Sequence, residues 1–236
     1  LNTKIKNQKS KLPFVLVNMA MTADGKIATA NRAISTFGSE RDHEHLLELR
    51  ATADAVMAGA TTVNATPINL GPGTAKFRRL RLKRGLTENN LRVIVSGSGS
   101  INPNADIFKT RFSPIIILTT TMISKANLQK LHAVADEVRI CGKTKINFRA
   151  ALKWLREKWN VKRLLCEGGG ELNEAMFRAG LVDKVYLTIC PKIFGGRLAP
   201  TIADGRGASH LEDAARFHCS SARRIRDELF TVWIRT

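Results

Sequence analysis

Long apolar runs are missing. No stretch of the 236 residues approaches the roughly 20 apolar residues of a membrane-spanning helix. The first eleven residues are polar and basic, with no apolar core or cleavage site, so they read as a tail rather than a signal peptide. Cysteine is sparse. Cys141, Cys166, Cys190 and Cys219 stand far apart, which removes a close-spaced zinc site. Three of them lie in apolar runs, as reduced thiols of a cytosolic protein do. Aromatic residues make up only 6%. That matters because the chain is short of acid, with 20 Asp and Glu against 38 Lys and Arg, a net charge of +18. The excess gathers at Lys4, Lys6, Lys9 and Lys11, in "KFRRLRLKR" at 76–84 and in "RRIR" at 223–226. Without interleaved aromatics these runs lack the platforms that stack bases. No helix-turn-helix, zinc finger or RNA-binding signature accompanies them. Nucleic acid is therefore not the expected partner. A phosphorylated small substrate, or solubility, accounts for part of the charge as well. Also absent are G-x-G-x-x-G, the Walker pattern, a nucleophile triad and a metal constellation.

What is present is an alternation of short apolar runs and helical stripes. "FVLVNMA" at 14–20 reads as a buried strand, followed by the turn "TADGK". Residues 40–53 read as a helix, with Ser39 as its cap and Glu40 and Asp42 in its first turn. Further strands are expected at 54–59, 91–97, 113–120, 136–141, 161–166 and 183–190. Helices are expected at 124–135, capped by Ser124, at 147–159 and after the glycines to Ala179, closed by Gly180. The run 76–84 is ambiguous. Residues from about 215 to 235 read as two strands around a turn near Arg226-Asp227. The pattern predicts an α/β fold with a mainly parallel central sheet, helices on both faces and an antiparallel C-terminal hairpin. We expect one domain over 12–236 behind a basic tail at 1–11.

The stretch "CEGGGEL", 166–172, joins a predicted strand to a predicted helix. Such a turn lies at the carboxyl edge of a parallel sheet, where ligands bind. The N–H groups opening the helix favour an anion. Gly168, Gly169 and Gly170 suit a nucleotide phosphate, and they equally suit a tight turn under close strand–helix packing. Glu167, at the strand end, suits pyrimidine N–H groups or ribose hydroxyls. Asp24 and Lys26 follow the first strand at the same predicted edge, where Asp-Gly is also an ordinary turn. Arg50 reads as a phosphate ligand or as a snorkelling helix residue. Thr61 and Thr62, after "MAGA", read as nucleotide contacts or as helix caps.

Four stretches in order resemble the riboflavin-pathway pyrimidine reductases, a branch of the dihydrofolate-reductase-like fold. They are "VNMAMTADGKIA", "GSERDHEHLLELRATADAVMAGATTV", "RLLCEGGGELNEAMFRAGLVDKVYLTICPKIFGG" and "APTIADG". The resemblance implies an NADPH-dependent reduction of a ribosylamino-pyrimidine 5′-phosphate. The ribosyl group, on either a uracil or a 2,5-diamino ring, would become a ribityl chain. It assigns cofactor contacts to Thr61, Thr62, Thr66 and the segment Gly168, Gly169, Gly170, Glu171, Leu172. It assigns Glu167 and Arg50 to the substrate, and Asp24, Lys26 and Glu167 to the reacting end. It also implies a homodimer. Family members commonly carry an acid–proline unit after Thr-Val, whereas this chain reads "TTVNATPINL", with Ala65 or Thr66 where the acid would stand. No zinc-binding deaminase half is present. Two other readings stand beside this one. One is a reductase of the same fold acting on a pterin or another carbonyl compound; the other is a nucleic-acid-binding protein.

Overall fold

The computed structural model describes residues 11–32, 37–65 and 67–236. The fold class is the expected one, with mostly parallel strands and an antiparallel C-terminal hairpin. The chain divides into two compact units. One holds the residues up to Phe14 and Leu49–Leu165; the other holds Val15–Glu48 and Cys166–Thr236.

The first unit carries strands β2 (Ala55–Gly59), β3 (Leu91–Val95), β4 (Ile115–Thr119), β5 (Glu137–Ile140) and β6 (Arg163–Cys166, its last residue in the other unit). Their order is β5-β4-β3-β2-β6, and β2 through β5 pair in parallel. Strands β2, β3 and β4 are buried almost throughout, as "AVMA" and "IIIL" require for strands covered on both faces. The Asp54 carboxylate accepts from the N–H groups of Lys162 and Arg163 at 2.8 and 2.7 Å, which sets the start of β6. The helices are α2 (Ala60–Ala65), α3 (Ala75–Lys83), α4 (Asp106–Lys109), α5 (Lys125–Val134) and α6 (Phe148–Lys158). Ser124 caps α5, as expected, by accepting from Asn127 N–H at 3.1 Å. The ambiguous basic run is helix α3.

That helix answers part of the charge question. Arg81 is fully buried and donates to the carbonyls of Thr87, Arg50, Ala53 and Asn89. Arg92 on β3 is also fully buried, donates to Ile107, Thr110 and Ser113 carbonyls, and lies 4.2 Å from the Phe112 ring centre. Burial pulls both guanidinium pKa values down to about 10. These two cations close loops and are withheld from any external partner.

The second unit carries β1 (Phe14–Thr22, its first residue counted with the other unit), β7 (Lys184–Cys190), β8 (Phe217–Ile225) and β9 (Glu228–Arg235). Their order is β1-β7-β9-β8. β1 and β7 are parallel, with Met19 opposite Leu187, and the two pairings of β9 are antiparallel. Helix α1 (Glu40–Arg50) stops three residues before the predicted end. Its first nine residues belong to this unit. Helix α7 (Gly170–Arg178) stops one residue before the expected Ala179, and Gly180, whose φ of +67° and N–H bond to Phe177 O suit a C-terminal glycine, follows as expected.

Candidate active site

Within the second unit, β1 ends at Thr22 and the chain turns on Asp24-Gly25. Thr22 N–H donates to Lys26 O at 2.8 Å and Gly25 N–H donates to Thr22 O at 2.9 Å. Gly25 takes φ +80°, a region that side chains avoid. The Asp24 carboxylate accepts from Thr22 Oγ1 at 2.5 Å, Gly195 N–H at 2.7 Å and Phe194 N–H at 3.2 Å. The Thr22 hydroxyl does most to hold the exposed Asp24 carboxyl below the usual range; desolvation opposes it, and the Gly195 and Phe194 N–H groups add to the lowering. Lys26 Nζ donates to Ala199 O at 3.3 Å, and Lys26 bridges Thr201 through the backbone. Both residues of this turn thus face the loop after β7.

The same loop reaches the glycine turn. Asp204 N–H donates to Gly170 O at 3.0 Å, and Asn173 Nδ2 donates to Ile202 O at 2.9 Å. Cys166 ends β6 fully buried, its thiol pushed up to about 12 by desolvation, so it is unreactive at neutral pH. Glu167 follows, half-buried. The Gly168–Gly169 peptide is cis, and Gly168 takes φ +74°. A Cβ on Gly168 would lie 2.8 Å from Met19 Sδ, and one on Gly170 would lie 2.5 Å from Asp204 Oδ2 and 2.6 Å from Thr201 O. The packing reading of the turn therefore holds at these two glycines: the chain itself fills the space. What the turn offers an anion is the start of α7. Gly169 stands at the cap of that helix and has no side chain to bond the first-turn N–H groups. Glu171 is exposed in that turn and Leu172 is buried.

The first unit holds the other expected residues. Thr61 is exposed and Thr62 half-buried on α2, directly after Gly59. Thr66 lies outside the described residues. Arg50 is only 8% exposed and donates to Gly71 O at 2.8 Å. Its own carbonyl accepts from Arg81 Nη1 and Asn90 Nδ2, both at 2.8 Å. In this geometry Arg50 braces the 69–71 loop.

Several polar residues of the second unit escaped the sequence reading. Thr22, Thr201 and Asp204 hold the two turns; "TADGK" and "TIADG" contained them without marking their roles. Glu228 is 6% exposed and accepts from Ser39 N–H and Oγ at 2.7 and 2.5 Å. Burial pushes the nearby Asp42 carboxyl up, a hydrogen bond from Thr188 opposes this, and Glu228 adds to it. Burial, with Glu228 and Asp42, pushes the Cys190 thiol up to about 12. No sequence spacing joins positions 42, 190 and 228. A cavity of about 1010 Å³ on this unit, lined by Phe177, Val185, Leu187, Ile202, Ala203 and Trp233 among others, contains none of the expected site residues. Among the described residues no cluster of His, Cys, Asp and Glu could hold a metal ion. No described helix is long and apolar enough to cross a membrane.

The model of the RibD C-terminal domain matches residues 13–230. Over 221 residues, 94% of this chain and 97% of the relative, 33% of positions are identical to a 2,5-diamino-6-ribosylamino-4(3H)-pyrimidinone 5′-phosphate reductase of Methanothermobacter thermautotrophicus. A protein of the same name from Archaeoglobus fulgidus is 33% identical over 193 residues, 82% of this chain and 87% of the relative. Among solved structures, RibD of Acinetobacter baumannii superposes with a TM-score of 0.75 at 18% identity. That match covers 98% of this chain and 60% of RibD, and at such identity it speaks for the fold.

Proposed function

The chain belongs to the RibD C-terminal domain family, and from that premise we propose that it is an NADPH-dependent pyrimidine reductase of riboflavin biosynthesis. Its substrate is a 2,5-diamino-6-ribosylamino-pyrimidinone 5′-phosphate. The observation that carries this reading is the match to the reductases of that name across nearly their whole length. The α7 start supports a dinucleotide phosphate, because the N–H groups after a glycine cap and the helix dipole both favour an anion there. We assign the reductase domain to 12–236, and propose a homodimer that does not bind nucleic acid.

NADPH, when bound, supplies the hydride that reduces C1′ of the ribosyl group. The chain's own residues position and compensate charge. Gly168, Gly169, Gly170, Glu171 and Leu172 would hold the cofactor phosphates through backbone N–H groups at the start of α7. The resemblance also assigns Thr61, Thr62 and Thr66 to the cofactor. Glu167, half-buried at the end of β6, orients the pyrimidine amino groups or the ribose hydroxyls by accepting their hydrogen bonds. Lys26 brings a cation to the reacting end. Arg50, which braces the 69–71 loop through Gly71 O, is assigned to the substrate phosphate, as the resemblance implies.

The test is NADPH oxidation with purified protein, the 2,5-diamino compound and its uracil analogue. Turnover of the diamino compound is expected. No turnover of either, with oxidation of a pterin or a simple carbonyl compound instead, overturns the substrate. Tight binding of DNA or RNA at physiological salt with no NADPH binding overturns the enzyme reading altogether.

A further inference from the structure

Residues 191–204 leave the end of β7, cross the Asp24 turn and arrive at the glycine turn. Apolar burial does little to hold most of this strap: Ile193 and Leu198 are 71% and 80% exposed, although Ala199 is buried. Polar pins hold it instead. Ala23 N–H donates to Lys192 O, and Ile27 N–H donates to Pro200 O, both at 2.9 Å. At the near end Asp24 collects Phe194 and Gly195 N–H. Two successive left-handed glycines, Gly195 at φ +62° and Gly196 at +82°, shape the bend beside those donors. At the far end Asp204 Oδ1 accepts from Thr201 N–H and Oγ1 at 3.1 and 2.8 Å, while its own N–H reaches Gly170 O. Between the two pins the strap carries Ala199 O, which receives Lys26 Nζ.

The geometry points to Asp24 as a positioning residue: its ionised carboxylate clasps the strap, and the strap sets where Lys26 and the start of α7 stand. Three donors converge on one carboxylate, an arrangement that stabilises the anion and disfavours the acid form needed to give up a proton. Asp24 therefore shapes the site that the proposed function places on this face of the unit. It does not serve as the proton donor.

The experiment compares the parent protein with Asp24→Asn and Gly195→Ala. A Cβ at Gly195 meets nothing within 4 Å, so that variant disturbs only the left-handed backbone and leaves every titratable group in place. Steady-state kcat and KM are measured from pH 5 to 9, and amide hydrogen exchange is read at Phe194, Gly195 and Asp204. Both variants are expected to raise the KM for the pyrimidine phosphate about tenfold with kcat within about threefold. The shape of the pH profile stays that of the parent, and exchange at Phe194 and Gly195 quickens in both. Loss of one limb of the kcat profile in Asp24→Asn alone, with a fall of about a hundredfold in kcat, makes Asp24 a proton donor and overturns the clasp. Unchanged exchange at the strap overturns it as well. Should the parent turn over neither pyrimidine, the exchange arm still decides the clasp, while the substrate assignment falls by itself.

Discussion

A single methyl group added at Gly170 separates the packing role of the glycine turn from its phosphate role. The new Cβ would sit 2.5 Å from Asp204 Oδ2 and 2.6 Å from Thr201 O, against an ordinary carbon contact of about 3.5 Å. Thr201 O is backbone and cannot swing aside. Asp204 is tethered by Thr201 N–H and Oγ1. Overpacking of this kind costs about 1–3 kcal/mol. Replacing glycine in a helix returns up to about 1 kcal/mol, and less at the first helical position. The net loss for Gly170→Ala is then about 1–2 kcal/mol, a fall in Tm of about 2–8 °C for a chain of this size. The measurement is thermal and urea unfolding without any nucleotide. Adding Asp204→Ala should recover part of the loss, because it relieves one of the two close contacts. A Gly170→Ala protein as stable as its parent, yet impaired in NADPH binding, would refute the packing argument.

Other outcomes follow from the same contacts. Glu167→Gln should lower kcat/KM for the pyrimidine phosphate about tenfold or more while leaving NADPH affinity unchanged; unaltered turnover removes Glu167 from the site. Asp42 has a native pKa raised above its ordinary 3.8, so the stability its proton confers is complete below that value and is lost as pH rises through the raised one. Asp42→Asn should therefore raise Tm at pH 7 and lose that advantage toward pH 4; a lower Tm at pH 7 contradicts the burial argument. Arg81→Met should cost on the order of 3 kcal/mol, because four carbonyls lose a fully buried donor. Circular dichroism during urea unfolding reads that loss, and a change below about 0.5 kcal/mol counts against it.

Local pattern carried the elements. The apolar runs at β1, β2, β4 and β7, the Ser124 cap and the Gly180 stop were all readable, because each depends on neighbours a few residues away. Helix α3 was not. Its apolar Phe77, Leu80 and Leu82 leave the period ambiguous, and its decisive residue, Arg81, is buried by carbonyls at positions 50, 53, 87 and 89. The short helix α4 at Asp106–Lys109 left no periodic signal in four residues. At the site, Glu167, the glycines and the Asp24 turn could be chosen from their places after strands. Arg50 could not be judged, since a snorkelling arginine and a buried brace look alike in sequence.

The order of strand, glycines and helix, with an acid before them, is a property of the sequence, and so is the family it belongs to. Which atoms fill the space beside each glycine is not. Met19, Thr201 and Asp204 come to the turn from distant stretches, and only the folded chain brings them there. Asp24 is divided between the two: Thr22, two residues away, does most to hold its carboxyl low, whereas Phe194 and Gly195, about 170 residues away, add their N–H groups only in the folded chain. Backbone preference is local and is written along the chain. Close packing and the ionisation of a side chain depend on whatever the fold places within a few ångströms.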